Sequence, residues 1–160
     1  MAVVTFKANN EKFRRFSREM VRGMDAKTAE LVTRLLAVDA TNRVIKRTPV
    51  DQGRARASWS PIMTANHVPV KIDGPEVNAS AIRQGVSEGE FSQKRTPAGF
   101  GIVVTSGVPY IRRLEYGYSE KAPSGMVRIS LFELMQSGAG AKAVIEGFKD
   151  LLAETNVKVR

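Results

Sequence analysis

The chain has 160 residues, with 25 Lys and Arg against 16 Asp and Glu, for a net charge of +9. That length suits one ordinary domain able to bury a core of its own. With no cysteine and a single histidine, His67, the composition excludes structural disulfides, thiolate chemistry and Cys-rich or multi-His zinc sites. The opening MAVVTFKANN lacks the basic and apolar regions of a secretory signal, and no apolar run approaches the roughly 20 residues that span a bilayer. The expectation is a soluble chain made in a reducing cytoplasm, whose positive surplus either favours an anionic partner or simply keeps it soluble.

Residues 10–24, NEKFRRFSREMVRGM, predict a short helix with Phe13, Phe16, Met20 and Met24 at three- and four-residue spacing. Arg14, Arg15, Arg18 and Arg22 fall mostly on its other face. Residues 25–47 carry the strongest helical pattern, a broad stripe from Leu31 to Ile45. Asp25 is the expected N-cap, Arg43, Lys46 and Arg47 suit the C-terminal end of the helix dipole, and Pro49 stops the helix. Arg56–Met63 and His67–Ile72 then read as strands, and 73–98 as a long polar loop with a weak helical signal at Glu76–Gln84. GIVVTS, Gly101–Ser106, is a β-branched strand.

Pro109 opens a short helix through Tyr110, Ile111, Leu114 and Glu115, which Gly117 ends. Pro123, Ser124 and Gly125 form a turn before helices at 126–136 and 141–154. The fold class expected is α+β: a small antiparallel sheet against a long N-terminal helix and C-terminal helices, with an excursion around 73–98. As one domain over 1–160 it divides into a helical arm (1–24), a main helix (25–47), a sheet with its excursion (48–106) and a helical C-terminal part (107–160).

The usual catalytic sets are missing. A Ser–His–Asp triad needs a base, and the only histidine, His67, stands at an expected strand start, where a surface or hydrogen-bonded role is the alternative to catalysis; no phosphate-binding glycine loop or dinucleotide fingerprint is present. Glu88 with Glu90, and Asp73 with Glu76, are either divalent-ion ligands or solvated loop carboxylates. No enzyme activity, metal or cofactor is expected. The basic groups are Arg14–Arg22, then Lys46, Arg47, Arg54 and Arg56, then Arg112 and Arg113. With few aromatics between them they do not form a base-stacking platform. They suit a DNA backbone passing by or the acidic face of a neighbouring subunit, against the plain alternative of helix faces in water.

Three stretches stand in order: TPVDQGRARASW (48–59), GIVVTSGVPYIRRLEYG (101–117) and KAPSGMVR (121–128). Together they resemble the tail-component and tail-completion family of long-tailed bacteriophages. The family pattern runs as a helix, TPVDTGRLRxSW, a β excursion, NxxPYAxxLEYG, APxGMVR and a terminal helix. The likeness covers about the last two-thirds of the chain, with Gln52 where Thr is usual, Ile111 where Ala is frequent and a longer 73–98 segment.

The resemblance implies a structural virion protein of the neck, assembled in the host cytoplasm and located at the head–tail junction. Such proteins form homo-oligomeric rings, commonly six-fold. One face meets a head-connector or stopper protein and the other a tail terminator or tube protein. Genomic DNA passes through the lumen without sequence specificity, and no membrane is involved. Residue by residue, Pro49 and Gly53 would fix the turn out of the main helix, with Asp51 bonding its backbone amides. Arg54 and Arg56 would share one face of the outgoing strand.

Trp59 would anchor the core or an interface, and Gly117 and Gly125 would supply turns. Arg54, Arg56, Tyr110, Arg112, Arg113, Glu115 and Tyr116 are candidates for the subunit interface, with Glu115 meeting an arginine of the next subunit or pairing on the surface with Arg112 or Arg113. Arg14, Arg15, Arg18, Arg22, Lys46 and Arg47 are candidates for the DNA channel or an acidic partner. The alternatives are a tail terminator capping tube polymerisation, a non-specific DNA-binding protein acting through Arg14–Arg22, and a metal-dependent enzyme using Glu88 or Glu90.

Overall fold

The computed structural model describes residues 15, 25–96, 99–138 and 142. The helices expected at 10–24 and 141–154 lie outside the described residues, apart from Arg15 and Lys142, which are helical and exposed. The described architecture is α+β, with helices α1 (Ala26–Arg47), α2 (Arg54–Ala57), α3 (Ser60–Ala65) and α4 (Ala79–Glu88) first. Strands β1 (Gly89–Thr96) and β2 (Gly99–Ser106) follow, then α5 (Ile111–Glu115) and α6 (Val127–Gln136).

Helix α1 forms where the sequence placed it. The Asp25 carboxylate accepts from the Lys27 and Thr28 amides at 3.0 and 3.1 Å, and the Thr28 hydroxyl donates to it at 2.5 Å. Two of the amide donors that every helix start leaves orphaned are thereby satisfied. At the other end the Thr48 hydroxyl donates to the Val44 carbonyl at 2.7 Å, and Lys46 and Arg47 occupy the last turn. The face carrying Val32, Leu36, Val44 and Ile45 is buried, and α1 packs against α6, β2 and α3.

After Pro49 the chain does not enter a strand. Gly53, at φ +92, leads into the single turn α2, and after the turn at Ser58 and Trp59 the chain enters α3, with a proline in its first turn. The alternation of Arg with Ala at 54–57 mimics a strand. Both residue types are among the best helix formers, and alanine is poor in sheets. Small side chains also allow a close helix crossing. A Cβ on Gly85 of α4 would stand 2.1 Å from the Arg54 carbonyl oxygen and 2.9 Å from the Ala57 Cβ, so α2 and α4 touch backbone to backbone. The expected strand at His67–Ile72 does not form: His67 lies in a turn at φ +56, and 68–72 have no regular secondary structure.

Most of the segment expected as a polar loop is regular: Ala79–Glu88 is helix and Gly89–Thr96 strand. Asn78 caps α4, its side chain accepting from the Ala81 amide at 2.8 Å. β1 then runs antiparallel to β2, from Gly89 opposite Ser106 to Thr96 opposite Gly99. Its polarity reflects a sheet with one wet face: Phe91, Ile102 and Val104 pack towards the core, while Val103 is exposed. The hairpin base is closed by the Gly107 amide donating to the Glu88 carbonyl at 2.7 Å. Its far end meets α1, where Arg34 lies over Phe100 at 5.6 Å and Glu30 pairs with Arg34 and Arg95.

The core joins Val44, Ile45, Ala55, Trp59, Ile62, Met63, Val108, Ile111, Ala122 and Met126. Trp59 is 3% exposed, so it is a core anchor, reached from a helical turn and not from a strand.

Two expectations follow. Gly85→Ala forces α2 and α4 apart and should cost about 1–3 kcal/mol, read as a lower urea midpoint, with an exposed control such as Arg83→Ala near neutral. The second concerns acid. Thr28 and the amides around it hold the Asp25 carboxyl below the usual carboxylate range, and Arg34 followed by Arg95 does the same for Glu30. A lowered folded pKa contributes stability that is present above the unfolded value of about 4 and is lost as pH falls through the folded value. Melting temperature should therefore drop below about pH 4, and Asp25→Asn, which keeps a capping oxygen, should make that drop shallower.

Candidate functional site

The three sequence stretches converge on one side of the molecule. A groove of about 580 Å³ is lined by Pro49–Ala55, Tyr110, Leu114 and Ser119–Lys121. Beneath it lies the elbow between α1 and α2. The Arg56 guanidinium donates through Nε at 3.1 Å and Nη2 at 2.8 Å to the Thr48 carbonyl, the residue that ends α1. Burial lowers the pKa of this guanidinium, with Asp73 acting weakly the other way. Arg54 grips Glu88 at the end of α4 in a two-pronged pair, with Nε donating to Oε2 at 2.8 Å and Nη2 to Oε1.

Both arginines are therefore fastened inside their own subunit. They lie in the helical turn α2 and do not share a strand face, which corrects the expected strand. Glu88, considered above as a metal ligand, is Arg54's partner. Asp51 is also different from expectation: it is exposed, and Arg56, not Asp51, ties the turn.

Glu115 changes most. Its side chain is 1% exposed. Oε2 accepts from the Met126 and Val127 amides at 2.8 and 2.7 Å, and Oε1 from the Arg128 amide at 3.0 Å and its Nε at 3.1 Å. Arg128 Nη2 also donates to the Glu115 carbonyl at 2.8 Å. Helix α6 begins at Met126, which has no capping side chain of its own. Glu115 caps it from another helix, placing a carboxylate at the positive end of the α6 dipole. The expected bond to an arginine of the next subunit, or to Arg112 or Arg113, is replaced by this internal clamp.

Gly125 belongs to the same unit. It sits at φ +78, and a Cβ there would lie 2.3 Å from the Glu115 carbonyl oxygen. LEYG and GMVR are thus the two halves of one joint. Gly117, at φ +81, ends α5, and the Tyr118 amide donates back to the Arg113 carbonyl at 3.0 Å.

What remains exposed is aromatic and basic. Tyr110 is 39% exposed at the groove rim, its phenol pKa raised by burial and by Glu88 and Asp51 against the pull of Arg54. Around the corner Arg112, Arg113, Tyr116 and Tyr118 line a second, more open concavity of about 940 Å³. The channel candidates separate. Arg47 bonds Glu133 of α6 at 2.5 Å, Lys46 is exposed, and Arg14, Arg18 and Arg22 lie outside the described residues. Tyr118, absent from the sequence candidates, is 82% exposed. Its signal was available, as a third tyrosine two places beyond Tyr116 at a helix end. Among the described residues no helix is long and apolar enough to cross a membrane. Comparison with protein-family models, with curated proteins and with solved structures finds no match to this chain.

The clamp gives a direct test. Glu115→Ala strands three amides at the start of α6 and should cost about 2–4 kcal/mol in urea unfolding. Arg128→Ala, at a site 62% exposed, should cost about 1 kcal/mol or less. Equal costs would mean that the amides matter less than the ion pair.

Proposed function

We propose that this chain is a structural subunit of a bacteriophage neck, a tail-completion protein that assembles as a ring around the DNA channel and joins the tail to the head connector. The observation that carries the reading is convergence. The first two stretches with the family's pattern, 48–59 and 101–117, lie far apart in sequence and meet at the groove lined by Pro49–Ala55, Tyr110 and Leu114, to which the third contributes Lys121. Their most distinctive charged residues, Arg54, Arg56 and Glu115, hold helices α1, α2, α4, α5 and α6 in fixed relation. A pattern spent on rigidity suits a protein whose product is shape.

The groove supplies the contact between copies. It combines apolar surface from Val50, Tyr110 and Leu114 with the charges of Asp51, Arg54, Glu120 and Lys121, a mixture suited to contact between proteins. A head-to-tail contact of this kind closes a ring when the rotation between copies is a fraction of a full turn.

Two measurements test the reading. Loss of the gene from a phage that encodes it should leave filled heads and tails of normal length that fail to join. Tails of uncontrolled length would instead assign the terminator role, and normal virions would sink both. In light scattering, Tyr110→Ala should raise the protein concentration needed for assembly at least about tenfold, an interface loss of about 1.4 kcal/mol, with the melting temperature little changed.

A further inference from the structure

The surface around α5 carries chemistry that neither the clamp nor the groove uses. Arg112 and Arg113 are exposed, and among the described residues neither guanidinium has a carboxylate partner. Exposed Arg83 likewise shows no ion pair among the described residues, and Arg56 donates to a carbonyl. Arg34, Arg43, Arg47, Arg54, Arg95 and Arg128 are each paired with an acid. Beside the two free guanidiniums stand Tyr116 and Tyr118, 56% and 82% exposed. Arg128, itself paired with Glu115, lies 5.1 Å from the Tyr116 ring centre.

We infer that Arg112, Arg113, Tyr116 and Tyr118 form a contact surface for the phosphodiester backbone of duplex DNA. Among the described residues the lining of the concavity is two guanidiniums and two phenols, with no carboxylate. Arginine forks and tyrosine hydroxyls are donors suited to phosphate oxygens. The concavity is open, on a chain of net charge +9, which fits a long polyanion better than an enclosed small anion. An acidic protein segment offers carboxylate acceptors to the same donors, and competition by polyglutamate separates it from duplex DNA.

The inference revises where DNA contact is sought, from Arg14–Arg22 to α5. It rests on the neck reading only for the source of the DNA; the binding itself is a property of the surface.

The experiment is fluorescence anisotropy of the full chain with a short random-sequence duplex, across a salt series, with the assembly state of each sample read by light scattering. Arg112→Ala/Arg113→Ala should weaken binding at least about tenfold at 0.1 M salt and reduce the slope of log K against log salt by about two. Tyr118→Phe should weaken it a few-fold by removing a phosphate donor, and Arg83→Ala, on the exposed side of α4, should change nothing. The idea is overturned if the double variant binds with the wild-type affinity and slope. It is overturned equally if polyglutamate competes as well as duplex, or if single strands bind more tightly and Tyr118→Phe is silent, which is stacking on bases. A double variant that loses DNA but assembles normally supports the surface. A wild-type chain that binds DNA through these residues yet never assembles removes the ring and leaves the surface standing.

Discussion

The carboxylate of Glu115 is the constraint from which the C-terminal half of the fold takes its shape. A buried carboxylate is costly unless its oxygens are well supplied with donors. Here three backbone amides and one guanidinium supply them, all from Met126–Arg128. Because those amides belong to the start of α6, the bond fixes both the position and the direction of that helix relative to α5. Helix α6 in turn packs on α1, where Glu133 meets Arg47 and Arg43. One side chain thus links the last described helix to the first through a short mechanical path.

The elbow at Thr48 works by similar chemistry with the charges reversed. The end of a helix leaves carbonyls without donors, and Arg56 provides two N–H groups to one of them. Arg54 then ties the next turn to the end of α4 through Glu88, next to the point where β1 begins. Helix end, short helix, long helix and hairpin are therefore coupled through two neighbouring arginines. Their alternation with Ala55 and Ala57 follows from this geometry: the alanines enter the core and permit the α2–α4 contact, and the arginines point along the surface to their partners.

Elements with strong local signals were legible in the sequence. Helix α1 announced itself by an Asp cap, a long apolar stripe and basic residues before a proline. β2 did so by β-branched residues, and α5 and α6 by their apolar spacing and bounding glycines. The 54–65 and 73–98 segments were not legible, because each local signal had a second meaning. Arg-Ala-Arg-Ala alternates like a strand yet is composed of helix formers. Gly85 and Gly89 look like loop markers, but they are the points where backbones nearly touch: a Cβ at Gly89 would stand 2.1 Å from the Ser58 carbonyl oxygen. β1 hides its period because Phe91 is its only large apolar residue. Trp59 was legible as a core residue, although the conformation that delivers it was not.

The site residues divide by the same physics. Sequence proximity suggested that Glu115 would pair with Arg112 or Arg113, which share its short helix. Its actual partners lie 11 to 13 residues on, and nothing in a single sequence distinguishes a carboxylate facing water from one facing an uncapped helix. The consequence runs outward. Because Glu115 is turned in towards α6 and is met there by Arg128, it is not available to neutralise Arg112 and Arg113 on the outer side of α5. The same burial that rigidifies the joint leaves two guanidiniums without a counter-charge beside two open tyrosine rings. A positive surface next to a rigid joint is what separates the residues that make the shape from those left free to meet another molecule.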